Sequence, residues 1–368
     1  MLRLRFRPES RALHLLALLL VGGCAERELP TVQATSETPR LAIAEDVEIV
    51  EGTITAGGSH SCGISVTGVA YCWGSNARGP LGDGTRINRL APVAVQMPPG
   101  VQFVAISAGA HHTVALSTTG AAYTWGGLIG DGETRRQLVP VPVRMPSGVS
   151  FVAIAAGDYH TVALSATGAA YAWGSNGSGE LGDGTGTNSL DPVAVQMLQG
   201  VSFARVGAGS FSVALSTEGA AYAWGYNGYG QLGDGTDVDR GTPVAVLMPP
   251  GVRFSAISAG AIHTVALATS GAAYAWGNGA YGKLGNGSLS NAYAPVPVQM
   301  PGGVSFAALD AGGQHSMAIS TAGAAYGGTT TPAWWATAPP AAASLRRRRR
   351  VGSSSSKRPP ARSASGAT

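Results

Sequence analysis

The sequence predicts an all-β propeller of four-stranded blades, each about 50 residues long, and three observations predict it. Trp-Gly recurs at Trp73, Trp125, Trp173, Trp224 and Trp276, with spacings of 52, 48, 51 and 52 residues. Each copy holds short runs rich in Val, Ile, Tyr and Trp that alternate in side-chain direction, the period of a strand and not of a helix. The 54 glycines fall between those runs, in Thr-Gly, Trp-Gly and Leu-Gly-Asp-Gly-Thr, where they mark turns.

The third copy serves as the pattern. Val152-Ala153-Ile154 reads as a first strand, Ala156-Gly157 as a turn and His160 to Leu164 as a second strand. Thr167-Gly168 makes a tight hairpin into a third strand, Ala170 to Trp173. A Gly-rich loop runs from Gly174 to Thr185, and Pro192 to Val195 form the fourth strand. Five copies are complete. The second is four residues short after Trp125, the fourth has Ser210-Phe211-Ser212 where a His is expected, and a sixth copy reaches only Tyr326 before losing the motif.

Gly157, His160, Gly168, Trp173-Gly174, Asn176, Gly179, Leu181-Gly182 and their counterparts resemble the regulator of chromosome condensation repeat family over roughly residues 46–328. The resemblance implies a propeller, with seven blades as the family norm, and a role in engaging protein partners. It does not carry over nucleotide exchange on a small GTPase, because the matching residues are the repeated ones. A residue present in every copy belongs to the frame, since an active site needs one asymmetric constellation.

The two ends read differently. Arg3, Arg5, Arg7 and Arg11 precede an apolar run, 12–21, too short to span a bilayer, so residues 1–23 read as an export signal. Val21-Gly22-Gly23-Cys24 resembles a bacterial lipoprotein box, which implies a lipid on Cys24 and, with Ala25 next to it, an outer-membrane or cell-surface site in a Gram-negative cell. An ordinary cleaved signal, giving a periplasmic or extracellular protein, is the alternative. Residues 24–45 read as a polar tether, and 329–368 as a disordered tail rich in Ala, Pro, Arg and Ser. The neighbouring reading frame permits Trp-Gly and Asp-Gly-Thr at the places the sixth copy lacks them, so the tail reads as frameshifted. An open reading frame without a stable product is a further alternative.

The formal charge of +4 is carried by the termini. Residues 24–328 hold 12 Lys and Arg against 19 Asp and Glu, an acidic body that argues against nucleic acid as a partner. Cys62 and Cys72 flank Thr67-Gly68 symmetrically in the first hairpin, and in an exported chain they predict a disulfide, with two buried thiols as the alternative.

His60, His112, His160, His263 and His315 recur once per blade, too far apart for one metal, and are expected to be buried and bonded to neighbouring backbone. The five repeat tryptophans are expected to be packing wedges, since a light-absorbing cluster would need further tryptophans on one face. Asp83, Asp131, Asp183 and Asp234 read as Asp-Gly turns instead of calcium ligands. No metal, cofactor or catalytic group is expected.

Differences between copies are the candidates for function. Loops after Trp-Gly carry Arg78, Arg135, Arg136, Tyr226, Tyr229, Asp237, Asp239, Arg240 and Tyr281, residue types that make protein contacts when set on a rigid frame. The expectation is a monomeric, non-enzymatic interaction module with an unknown protein partner, touching membrane only through its lipid. Two alternatives stay open: a secreted enzyme inhibitor, similar to beta-lactamase inhibitory proteins of this fold, and a polysaccharide-active enzyme. The latter requires a carboxylate pair, for which Asp158 and Asp310 are the non-repeated candidates.

Overall fold

The computed structural model describes residues 47–50, 52–127 and 136–328; the export signal, Cys24, the tether, Asp131, Arg135 and the tail from 329 lie outside them. Within these residues the chain folds into six antiparallel sheets, each a meander in chain order. Five sheets have four strands, in 55–94, 103–142, 151–194, 203–245 and 254–297, and the sixth, in 306–328, has three. This is a six-bladed propeller whose last blade is incomplete.

The third blade shows how sequence becomes register. Its strands are Phe151–Ala156, His160–Ser165, Ala170–Gly174 and Ser189–Ala194. Val162 faces Ala172 and Thr161 faces Trp173 across the hairpin. Between the third and fourth strands the pairing shifts in the stretch that holds the tryptophan, and the same shift recurs in the four other complete blades. The first strands of successive blades pack side by side around the axis, and each second strand packs on the first strand of the next blade. Among the described residues no comparable packing joins the sixth blade to the first.

The core lies between blades. Trp125 joins Ile64, Leu81 and Val95 of the first blade, and Trp224 joins Leu164, Leu181 and Val195 of the third. Each of these indoles stacks on a phenylalanine from the first strand of its own blade, Phe103 or Phe203, with ring centroids 6.0 Å apart. Burying one such ring from water is worth about 4–6 kcal/mol. The wedge needs a flat seat: a Cβ on Gly82 or Gly182 would meet the indole Nε1 of Trp125 or Trp224 at 2.8 or 2.7 Å. That contact couples the Trp-Gly motif of one blade to the Leu-Gly-Asp-Gly motif of the blade before it.

Trp73 is the exception. No blade precedes the first among the described residues, so Trp73 is only half-buried, and Leu90 is fully exposed where its counterpart Leu138 covers Gly79 of the preceding blade. In the sixth blade Gly328 stands opposite Ser316, the place Trp276 takes opposite Thr264 in the fifth. Cys62 and Cys72, both buried, face each other in the first hairpin and form a disulfide.

Candidate functional site: the loop face

A meander sends the connections between first and second strands, and between third and fourth, to one end of the ring. The first kind of loop forms the inner rim around the axis and the second kind the outer rim. What this face offers a partner depends on which of its side chains the frame already uses.

The recurrent histidines are used. His60, His160 and His263 place Nε2 2.8 Å from the hydroxyl of Thr113, Ser212 and Ser316, each in the next blade, and His112 lies 3.0 Å from that of Thr161. Thr113, Ser212 and Ser316 donate in turn to the carbonyls of Pro80, Glu180 and Lys283, back in the blade that supplied the histidine. A hydroxyl has one proton to give, so it accepts from Nε2–H, which leaves Nδ1 bare. Nδ1 of His60 and of His263 is indeed buried without a partner. The partner is therefore a hydroxyl one blade away, not the neighbouring backbone that the sequence led us to expect.

Burial, reinforced for each by a neighbouring histidine or lysine, pushes the pKa of His60, His160 and His263 down to about 3 and that of His112 to about 4. All four are neutral at pH 7. Phe211 fills the place in the fourth blade, where Thr264 still donates to the Gln231 carbonyl, and His315 in the last blade is half-buried.

The Asp-Gly loops are closed networks as well. Asp83 accepts from Asn76 Nδ2, from the amide and hydroxyl of Thr85, and from Arg89, whose guanidinium reaches Oδ2 at 2.7 Å. Burial alone would raise its pKa, yet these donors together hold the carboxyl below the ordinary range. The fourth blade repeats the arrangement with Asn227, Asp234, Thr236 and Arg240. Arg240 is thereby committed to Asp234, and Asp239 accepts from the Asn227 amide as Asn88 does from Asn76. Both residues support their own loop.

The other loop candidates are less engaged. Arg78, Arg136 and Asp237 are exposed. Tyr226 and Tyr229 are half-buried and meet edge to face, with ring centroids 6.3 Å apart. Tyr281 is 57% exposed.

The inner rim adds residues that the sequence reading did not name as partner contacts. Ala-Gly is followed by Ala110-His111 in the second blade, Asp158-Tyr159 in the third and Ser210 in the fourth. Here the rings of His111 and Tyr159 lie 5.6 Å apart, and Ser210 donates to Asp158 at 2.5 Å. Partial burial, and then the charge of Arg78, lower the pKa of His111, while Asp158 opposes them. The loops beneath pack backbone against backbone: a Cβ on Gly109 or Gly157 would stand 2.4 Å from the carbonyl oxygen of Gly157 or Gly209. Variation immediately after an invariant Ala-Gly was the available signal.

The carboxylate pair does not form. Asp158 belongs to this rim, whereas Asp310 lies on the first strand of the sixth blade, held by the Ser258 hydroxyl and the Ala311 amide. Solvent reaches Asp310, but enclosure by the surrounding protein raises its pKa over the opposing effect of those bonds. Among the described residues no group of three or more His, Cys, Asp or Glu is placed to hold a metal ion.

Comparison with known proteins agrees with the architecture. The chain is 34% identical over 280 residues to the ultraviolet-B receptor UVR8 of Arabidopsis thaliana, covering 74% of this chain and 64% of the receptor. It is 30% identical over 308 residues to the human E3 ubiquitin-protein ligase HERC2, covering 82% of this chain and 6% of the ligase. The chain thus spans less than two thirds of these curated relatives. Among solved structures, human WBSCR16 superposes with a TM-score of 0.65 at 23% identity, covering 75% of this chain and 72% of that one. Yeast RCC1 (Prp20), solved bound to Kap60, gives 0.65 at 24% identity over 75% and 70%. The family model for the RCC1-like domain matches residues 18–327, and the chain belongs to that family.

Proposed function

We propose that this chain is a non-catalytic protein-binding module that works outside the cytoplasm, held at the cell surface or in the periplasm through a lipid on Cys24. One observation carries the binding role: the repeated polar residues are consumed by blade-to-blade and loop bonds, while the exposed aromatic side chains gather at one end of the ring. Arg78, His111, Asp158, Tyr159, Tyr226, Tyr229 and Tyr281 all sit on that face, on loops anchored in the blades at both ends. Aromatic and Arg side chains on a stiff support lose little freedom on binding and are the residue types that dominate interface energies. Yeast RCC1, which shares the fold, has a protein partner in Kap60.

Photo-crosslinking tests this reading. A benzophenone residue replaces Tyr159 on the loop face or Val66 on the second-to-third-strand hairpin at the opposite end, in the full chain expressed in its own host. The proposal expects a discrete adduct from position 159 and none from 66. Adducts from 66 alone, or equal non-specific labelling from both, contradict it. Globomycin-sensitive processing, together with loss of the membrane fraction in Cys24→Ser, tests the anchor.

A further inference from the structure

The loop of the fifth blade is as long as that of the fourth, with Trp276 to Leu284 spaced as Trp224 to Leu232, but it carries Gly279 where the fourth blade has Asn227. Its backbone is unusual at Tyr281, the only non-glycine with positive φ, 61°, among the described residues. Left-handed backbone is unfavourable for a residue with a Cβ and persists where the surroundings impose it. The ring so placed lies over the ammonium of Lys283, with Nζ 5.9 Å from its centroid.

Lys283 occupies the position held by Pro80, Glu180 and Gln231 in other blades. Its side chain is shut off from solvent, and Nζ donates to Gln314 Oε1 at 3.0 Å. None of the ion pairs among the described residues includes it. An ammonium has three protons to give, and a buried one without a counter-charge is costly. Burial accordingly lowers its pKa. The backbone beneath cannot drift, because Ser316 of the sixth blade donates to the Lys283 carbonyl at 2.8 Å. A fixed cation with spare donors thus lies under a strained, exposed tyrosine on the face assigned above to partner binding.

We propose that Lys283 is the receptor for a single carboxylate side chain of a protein partner, with Tyr281 as the movable cover and Gln314 as the wall. The inference rests on the loop face being the binding face. One cation suits one carboxylate, and the excess of Asp and Glu over Lys and Arg in the propeller body disfavours polyanions such as nucleic acid. The carboxylate supplies the missing counter-charge, and displacing Tyr281 releases its backbone.

Lys283 and Lys357 are the only lysines in the chain, so side-chain ¹³C-lysine NMR of the full-length protein gives two signals to follow. The titrants are a capped Gly-Ser-Glu-Ser-Gly peptide, its Gln twin, and inorganic phosphate. The Glu peptide is expected to shift the Lys283 signal with a Kd of about 1–10 mM and to raise its titration midpoint, with the Gln peptide and phosphate inert. Tyr281→Gly, which suits the left-handed backbone and removes the cover, should bind the Glu peptide several-fold more tightly. Lys283→Met, checked for an unchanged fold by circular dichroism and titrated by the backbone amide shifts of residues 279–284, should lose at least tenfold. Equal response to the Gln peptide or to phosphate overturns the assignment, as does no response of Lys283 in either wild type or Tyr281→Gly. A crosslink at position 159 combined with silence at Lys283 would sink this inference alone and leave the binding face standing.

Discussion

His160 donates from Nε2 to the Oγ of Ser212 in the next blade at 2.8 Å, and Ser212 passes its own proton to the Glu180 carbonyl in the blade His160 came from. The two residues close a loop of bonds across a blade boundary. Ser212→Ala should leave a buried Nε2–H without an acceptor and cost about 2–3 kcal/mol in urea unfolding. Ser212→Thr, the residue found at positions 113 and 161, should stay within about 1 kcal/mol of wild type.

Acid should unfold this protein early. Histidines whose folded pKa lies below the unfolded value near 6.5 bind fewer protons folded than unfolded, so stability falls as pH drops through 6.5 and keeps falling until about 3–4. Near pH 5 each of His60, His112, His160 and His263 should subtract about 2 kcal/mol. The measurement is the melting temperature from pH 7 to 4.5, in wild type and in His160→Phe, which borrows the Phe211 solution. The variant should show a shallower decline.

The disulfide supports the first blade, whose first strand is only the two residues Thr55–Ala56. Replacing both cysteines with the third blade's pair, Cys62→Val with Cys72→Ala, should keep the fold and lower stability by about 2–3 kcal/mol. Reducing agent should shift the melting curve of wild type and leave the double variant unmoved.

Asp234 gathers bonds from Asn227, Thr236 and Arg240. Asp234→Ala should strand these donors and cost about 2–3 kcal/mol, against about 1 kcal/mol or less for Arg240→Ala, whose half-exposed guanidinium is partly screened by water. Thermal melts of the two variants check the ranking.

Strands, hairpins and the Cys62–Cys72 pairing were legible because they depend on short-range alternation and on copies that can be laid side by side. The histidine partners were not, since Thr113 or Ser212 lies a whole blade away and no local pattern announces the bond. Arg240 was misleading in a different way. It looks like rim variation in the fourth blade, although Asp83 and Arg89 repeat its six-residue spacing from Asp234 in the first. Lys283 was hidden because the equivalent positions hold Pro, Glu and Gln, so only burial and the cover by Tyr281 set it apart.

The central claim is a division of labour between repeated and unrepeated residues, and a paired alanine scan tests it most directly. Once the crosslinked partner is in hand, each variant is measured for both melting temperature and partner affinity. Trp173, His160 and Asp183 variants should lose stability while any fraction that remains folded binds with wild-type affinity. Arg78, His111 and Tyr159 variants should melt like wild type and lose affinity, some by at least tenfold, about 1.4 kcal/mol. If stability and affinity instead fall together across both groups, or if no variant on the loop face weakens binding, the division does not exist.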